Sequence, residues 1–221
     1  MGTFDRWRTL LHGAQVSLEI FKLRPNYRAL LIVVDGINAG PSNETSETML
    51  QQAEAAVRAQ LAHHPVTEPL TSQQQALTRR VDNGLPRVNR LTDIYNPISV
   101  AHHIPLGGED LEKYSGPPRL IRAKGDEDFE ATAGGKTVLE HPEVGEVVWL
   151  DDLGVTCRRW NWPQGSRTAL TEETRSALFI LDVLEPISEE ALAKAADELA
   201  DALQGLGQDV RVEQRLITSS T

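Results

Sequence analysis

Two stretches of this chain, RALLIVVD at 28–35 and SALFILDV at 176–183, are apolar at nearly every position. A strand with one wet face alternates apolar and polar residues, whereas a run without alternation is covered on both faces. The first reads as a buried strand ended by a turn at Gly36, and the second as a strand apolar enough to be covered on both sides. Neither approaches the roughly 20 apolar residues that cross a bilayer. Whatever else the chain forms must pack against these two strands.

Between and after them the period changes. AGPSNETSETMLQQAEAAVRAQLAHH opens on Pro41, Ser42 and Asn43 and crowds acids into its first turn. Met49, Ala53, Val57 and Leu61 then recur at helical spacing, so a helix is predicted. A second helix is predicted near TSQQQALTRRVDNG, ending at Gly84. A third starts after Pro86, with Val88, Leu91, Ile94, Ile98 and either Ala101 or His102 on one stripe and a kink or break at Pro97. From residue 104 the chain turns to short pieces. PLGGEDLEKYSGPP is turn-rich, and RLIRAKG, EVVWLDD and GVTCRRW are strand-like runs punctuated by Gly and Asp. SEEALAKAADELADALQGLG is a helix capped by Ser188, with Leu192, Ala195, Ala196, Leu199 and Leu203 as its stripe, and DVRVEQRLI is a last strand. This order predicts one α+β domain over residues 1–221, not a regular alternation of strand and helix.

Charge and cysteine usage narrow the function. At 40% hydrophobic residues the chain is too apolar to be disordered. MGTFDRWRTLLHG lacks the apolar stretch and cleavage site of a secretory signal, and the single cysteine, Cys157, fits a reducing compartment, so a soluble cytoplasmic protein is expected. The net charge of −10 excludes a generally basic, nucleic-acid-coating surface. Residues 176–221 carry nine acids against three bases. Arg79, Arg80, Arg87 and Arg90, then Arg158, Arg159, Arg167 and Arg175, still allow a local basic face.

Few residues offer covalent or metal chemistry. His63–His64 and His102–His103 are adjacent pairs, which do not face one another on a helix, and no HExxH, CxxC or GxSxG occurs, so neither a metal nor a cofactor is expected. Cys157 reads as a small buried hydrophobe rather than a nucleophile; in a strand, Arg158 would point away from it and Arg159 would share its face. Gly107 and Gly108 of PLGG, and the glycines of TAGG, are weak phosphate-loop candidates; GDEDFE reads as a solvated acidic turn. Asn89, Asp93 and Asn96 recur at i, i+4 and i+7 and share one helix face, either a solvent-facing polar stripe or part of a site. CRRWNW, residues 157–162, concentrates Arg158, Arg159, Trp160, Asn161 and Trp162, side chains that grip phosphates, carboxylates and flat rings.

VNRLTDIYNPIS, PLGGEDLEKYSG, RLIRAKGDEDFE and HPEVGEVVWLDDLGVTCRRWNWPQGSRT, in this order and followed by the strand into LFILD, resemble the editing (B3/B4) domain of the phenylalanyl-tRNA synthetase beta chain. The chain looks most like the free-standing relatives of that domain. The resemblance spans about residues 25–185, with the helix and strand at 188–217 packed on that core. It implies a β-sandwich of unusual topology with flanking helices, and hydrolysis of a mischarged aminoacyl-tRNA ester acting in trans, with an RNA- or aminoacyl-binding module as the alternative. It implies catalytic roles for Asp93 and Asn96 (the Asp-x-x-Asn of TDIYN) and Asn161. It implies substrate contacts from Asn89, Gly107, Gly108, Arg158, Arg159, Trp160, Trp162 and Gln164. The expected partner is the aminoacylated 3′ end of tRNA or a small aminoacyl ligand, with Trp stacking a base and Arg meeting a phosphate. Gly107 and Gln164 stand where synthetase editing pockets carry a histidine and a glutamate, and Pro163 where the free-standing relatives carry arginine. The 93–96 face and the 158–161 segment are expected to meet in one cleft.

Overall fold

β2 (Arg28–Asp35) and β9 (Ser176–Val183) lie side by side in register, Ala29 opposite Asp182 and Val34 opposite Ala177. In this computed structural model, which describes residues 2–63, 81 and 84–220, they form the centre of a four-stranded antiparallel sheet. β10 (Arg211–Ile217) flanks β2 and β3 (Leu106–Asp110) flanks β9. Both central strands are buried almost throughout, as their unbroken apolar runs require.

Alternation along these strands sorts the core into two clusters. Leu30, Ile32, Val34, Ala177, Phe179, Leu181 and Leu106 face one side. There they meet α4 (Arg90–His102) and α5 (Glu189–Gln204), whose Leu91, Ile94, Ile98, Leu192, Leu199 and Leu203 complete that cluster. Ala29, Leu31, Val33, Leu178 and Ile180 face the other side, where they meet Trp7, Leu10 and Leu11 of α1 (Thr3–Gly13) and Ile20 of α2 (Leu18–Leu23). The second sheet lies on that side too, contributing Leu120, Val147, Trp149 and Cys157. Its order is β1 (Gln15–Val16), β4 (Arg119–Arg122), β7 (Val147–Leu150), β8 (Val155–Cys157), β5 (Phe129–Ala133), β6 (Lys136–Glu140), with mixed parallel and antiparallel pairing. Helices, the central sheet and the mixed sheet thus stack as layers, an α+β architecture.

The predicted helices at α3 (Glu44–His63), α4 and α5 are present, and Ser188 caps α5 by accepting from the Ala191 N–H at 3.1 Å. The helix predicted near 71–84 falls almost wholly outside the described residues. Other expectations are corrected. α4 begins at Arg90, not after Pro86, because Asn89 accepts from the Thr92 N–H at 3.0 Å; Val88 therefore leaves the stripe and is exposed. Pro97 does not break it. PLGGED is no turn but the buried strand β3. A Cβ at Gly108 would sit 2.7 Å from Leu170 and 2.8 Å from Phe179, so only glycine lets the strand lie under them. TAGG closes the β5–β6 hairpin, Gly134 and Gly135 both having positive φ. α1 and α2, with Trp7, Leu10, Leu11 and Ile20 as their buried faces, are additions to the elements expected from the sequence.

Candidate functional site

The CRRWNW segment leaves the sheet immediately after Cys157. Strand geometry ends there, Arg159 and Trp160 take positive φ, and the chain folds back so that Gln164 bridges Cys157. Backbone bonds close the turn: the Arg158 N–H donates to Pro163 O at 2.9 Å and the Trp162 N–H to Arg158 O at 2.8 Å. The strand alternation expected for Cys157, Arg158 and Arg159 therefore does not apply. Arg158 is buried, its Nε and Nη2 donating to the two oxygens of Glu146 at 2.7 and 2.8 Å and its Nη1 to Glu140 at 3.0 Å. This fork holds the Glu146 carboxyl below its ordinary range. Arg158 is thus committed to its own chain; Arg159, whose Nε lies 3.8 Å from Glu146, and Trp162 are nevertheless 63% and 65% exposed. Trp160 lies on the inner side of the turn, its ring 5.2 Å from that of Tyr27. Arg158→Lys should lower unfolding free energy by about 2 kcal/mol in urea titrations, because a lysine cannot reproduce the fork. Loss of RNA affinity with unchanged stability would contradict this placement.

The turn carries Asn161 and Gln164 over β3. Asn161 Nδ2 donates to Asp182 at 2.9 Å and Gln164 Nε2 to the Gly108 carbonyl at 3.2 Å. A Cβ on Gly107 would be 2.9 Å from Gln164 Nε2 and 3.6 Å from Asn161 Nδ2. The two positions at which the resemblance sets a histidine and a glutamate are therefore neighbours in space. Asp182 also accepts from the Tyr27 hydroxyl and from Trp149 Nε1 at 3.2 Å. Burial pushes its carboxyl up to about 6, against which these three donors act.

Glu109, two residues beyond Gly107 on the same strand face, is the second buried carboxylate here. One oxygen accepts from the Tyr114 hydroxyl, which is also 3.4 Å from Thr156 Oγ1; the other, Oε1, is buried with no hydrogen-bond partner. Burial pushes Glu109 up to about 7, opposed by Tyr114, Thr156 and the charge of Arg167 and reinforced by Asp151. Arg167 itself is paired with Asp151 through 2.7 and 3.0 Å contacts. Burial, with the charge of both Glu109 and Asp182, raises the Cys157 thiol well above the ordinary range and makes it a poor nucleophile. The two carboxylates are thus buried on the same face of the central sheet, the face that meets the mixed sheet.

Asn89, Asp93 and Asn96 are not solvent-facing; all three are buried. Asn89 caps α4 and donates to Leu170 O at 3.2 Å. Asp93 accepts from the Val88 N–H at 3.0 Å and from Ser46 Oγ of α3 at 3.4 Å. Asn96 shares the α4 face of Asp93 and Val100, and Val100 packs with Leu50 and Val57 of α3. That face looks away from the central sheet, whereas Asn161 lies on the sheet's opposite side against Asp182. The expected single cleft for Asp93, Asn96, Arg158 and Asn161 is not formed. Gly107, Asn161, Trp160 and Gln164 are brought together instead, joined by Asp182, Glu109, Tyr27 and Tyr114. The signal for Asp182 is present in the sequence as a carboxylate inside the apolar run LFILDV.

The sequence profile of the B3/4 domain matches residues 66–206, more than half of the chain. The chain belongs to the B3/4 domain family. The family profile and the residues that carried the resemblance overlap from 66 to 185, a span that holds β3, the CRRWNW turn and Asp182. In fold, the B3/4 chain is similar to the crystal structure of an N-terminal fragment of the phenylalanyl-tRNA synthetase beta-subunit from Pyrococcus horikoshii, with a TM-score of 0.53 at 12% identity. That match covers 90% of this chain and 50% of the fragment, so this chain spans about half the fragment's length. No curated protein matches it. No described helix is long and apolar enough to cross a membrane.

Proposed function

We propose that this B3/4 domain hydrolyses the ester of a mischarged aminoacyl-tRNA in trans, in the cytoplasm, where the CRRWNW turn packs on β3. Family membership and the likeness to a fragment of a tRNA synthetase subunit support the substrate class. The observation that carries the reading is Glu109: a buried carboxylate with one oxygen left without a hydrogen-bond partner, on the strand face that also presents Gly107, beside which Gln164 and Asn161 lie. In this reading the substrate ester lies beside Gly107, in the place that the Gln164 amide fills in the free protein. Glu109 takes a proton from the attacking water, the ester C–O bond breaks, and the ribose oxygen leaves with a proton as tRNA and free amino acid separate. A carboxylate that titrates near neutrality suits that task. In this reading the exposed Trp162 stacks on a base and Arg159 meets a phosphate of the acceptor end.

A non-catalytic binding module is the second reading, favoured by Gly107 and Gln164 standing where the resemblance sets a histidine and a glutamate. The test is single-turnover deacylation of a panel of correctly and incorrectly charged tRNAs. Release of amino acid from a subset, above the spontaneous rate, supports the hydrolase. Binding of aminoacyl-tRNA with no release from any member supports the module, and neither binding nor release defeats both.

A further inference from the structure

At the end of the central sheet away from Asp182, the chain leaves β2 through Gly36 and enters β10 through residues 205–209. The two loops touch through their backbones: a Cβ on Gly207 would sit 2.5 Å from the Gly36 carbonyl oxygen, and the Asn38 N–H donates to Leu206 O at 2.9 Å. Between them and the start of α4 lies a groove of about 810 Å³, lined by Gly36, Asn38, Arg90, Gly207, Gln208 and Asp209. The Gly36 N–H donates to Arg175 O at 3.0 Å, just before β9, whereas Asp182 stands near the other end of that strand, roughly 20 Å away.

Arg90 is the cation lining this groove, and most of its donors are unused. Nη1 reaches the Asn38 carbonyl at 3.5 Å. Nε is buried without a partner, and Nη2 has no partner among the described residues and is open to solvent. The guanidinium is held in place against Gly40, where a Cβ would be 3.2 Å from Nη2. Among the described residues Arg90 forms no ion pair, whereas Arg87, on the same segment, is paired with both Glu47 and Glu54. The backbone N–H groups of Gly207, Gln208 and Asp209 likewise donate to no described residue. Arg175 is a second exposed arginine at this end without an ion pair among the described residues. Asp209 brings a carboxylate to the groove, but it is exposed and screened by solvent.

We propose that this groove binds a phosphate group, with Arg90 as its anchor and the N–H groups of the 207–209 turn available as further donors. A guanidinium stays charged at any working pH, and its planar fork matches two oxygens of an oxyanion. A phosphate carries more acceptor oxygens than a carboxylate, enough for the fork and for backbone N–H groups together. The site lies apart from the one proposed for the ester and does not depend on it.

The test is a ¹H–¹⁵N NMR titration of the whole chain at constant ionic strength, with inorganic phosphate and, separately, with a 5′-phosphorylated RNA trinucleotide. Saturable shifts are expected in the Arg90 Nε–H and in the amides of Gly207, Gln208 and Asp209, and not in a matched titration with chloride. Arg90→Met keeps a long stem over Gly40 but removes the fork, and should weaken phosphate binding about tenfold or more, the range for hydrogen bonds to a charged group. If Arg90→Met fails to fold, Gln208→Glu puts a negative charge in the groove at an exposed side chain that makes no hydrogen bond among the described residues, and should weaken binding severalfold. Tighter binding of the trinucleotide than of inorganic phosphate assigns the groove to an RNA phosphate, and equal or weaker binding assigns it to free phosphate. No saturable shift, shifts that miss the groove, or phosphate affinity unchanged in the folded variant overturns the proposal.

Discussion

Glu109→Gln should be more stable than the wild type at pH 8 and lose its advantage near pH 5. The carboxyl of Glu109 is raised from an ordinary 4.5 to about 7 by burial, so the folded state holds its proton more tightly than the unfolded chain does. Its contribution to stability is full below 4.5, falls as pH rises toward 7, and levels off above. The span corresponds to about 3 kcal/mol at pH 8. Glutamine keeps the Tyr114 hydroxyl's acceptor but brings buried N–H groups, offsetting part of the gain, so a net increase of about 2 kcal/mol is expected. Asp182, raised from 3.8 to about 6, acts in the same direction at lower pH. Glu54 and Glu146, bonded to Arg87 and Arg158, have lowered carboxyls and oppose this only below their ordinary 4.5. His103, held below its ordinary 6.5 by burial and by His102, acts the other way, and the two buried carboxyls are expected to outweigh it, leaving the wild type more stable at pH 5 than at pH 8. Urea unfolding of both proteins at pH 5 and pH 8 measures it. A wild type equally stable at both, or a Glu109→Gln protein that is weaker at pH 8, would contradict the burial of an open carboxylate. A residue whose removal stabilises the fold is retained for another reason, as functional carboxylates commonly are.

Asn161→Ala should lower deacylation kcat/KM by about 10–100-fold, the effect of losing one hydrogen bond to the ester as charge develops on it. It also removes one of the three donors on Asp182, so melting beside the kinetics separates the two effects; Asp182 keeps Tyr27 and Trp149. Asn96→Ala, by contrast, should affect only the α3–α4 packing and leave deacylation unchanged. If the Asn96 change slows hydrolysis and the Asn161 change does not, the site lies on the helical side of the central sheet and the placement argued above is wrong.

The contrast between Asn96 and Asn161 shows what could be read from the sequence. The two central strands and α5 were legible because their patterns record burial directly: no alternation in LLIVV and LFILDV, and a stripe at 192, 195, 196, 199 and 203. Helical periodicity also placed Asn89, Asp93 and Asn96 on one face. It could not say whether that face met solvent or a second helix, because α3 reaches it from more than 40 residues away through Ser46 and Leu50. The PLGG strand was hidden because glycine scores as turn, whereas here Gly107 and Gly108 make room for Gln164, Leu170 and Phe179. Arg158 looked like a ligand-gripping residue, since nothing local reveals that Glu140 and Glu146 lie within its reach. The buried polar cluster itself is assembled from Tyr27, Glu109, Asn161 and Asp182, which are joined only by the tertiary fold.

The most direct test of the central claim is the pH dependence of kcat/KM for deacylation of a responsive mischarged tRNA, with wild type and Glu109→Gln side by side. If Glu109 accepts the proton of the attacking water, the wild-type rate rises tenfold per pH unit below about 7 and flattens above it. The Glu109→Gln variant, folded and still binding the tRNA, should then be slower by about 10² and lose that limb. A Glu109→Gln variant that hydrolyses the same tRNA at the wild-type rate across the pH range would contradict the assignment.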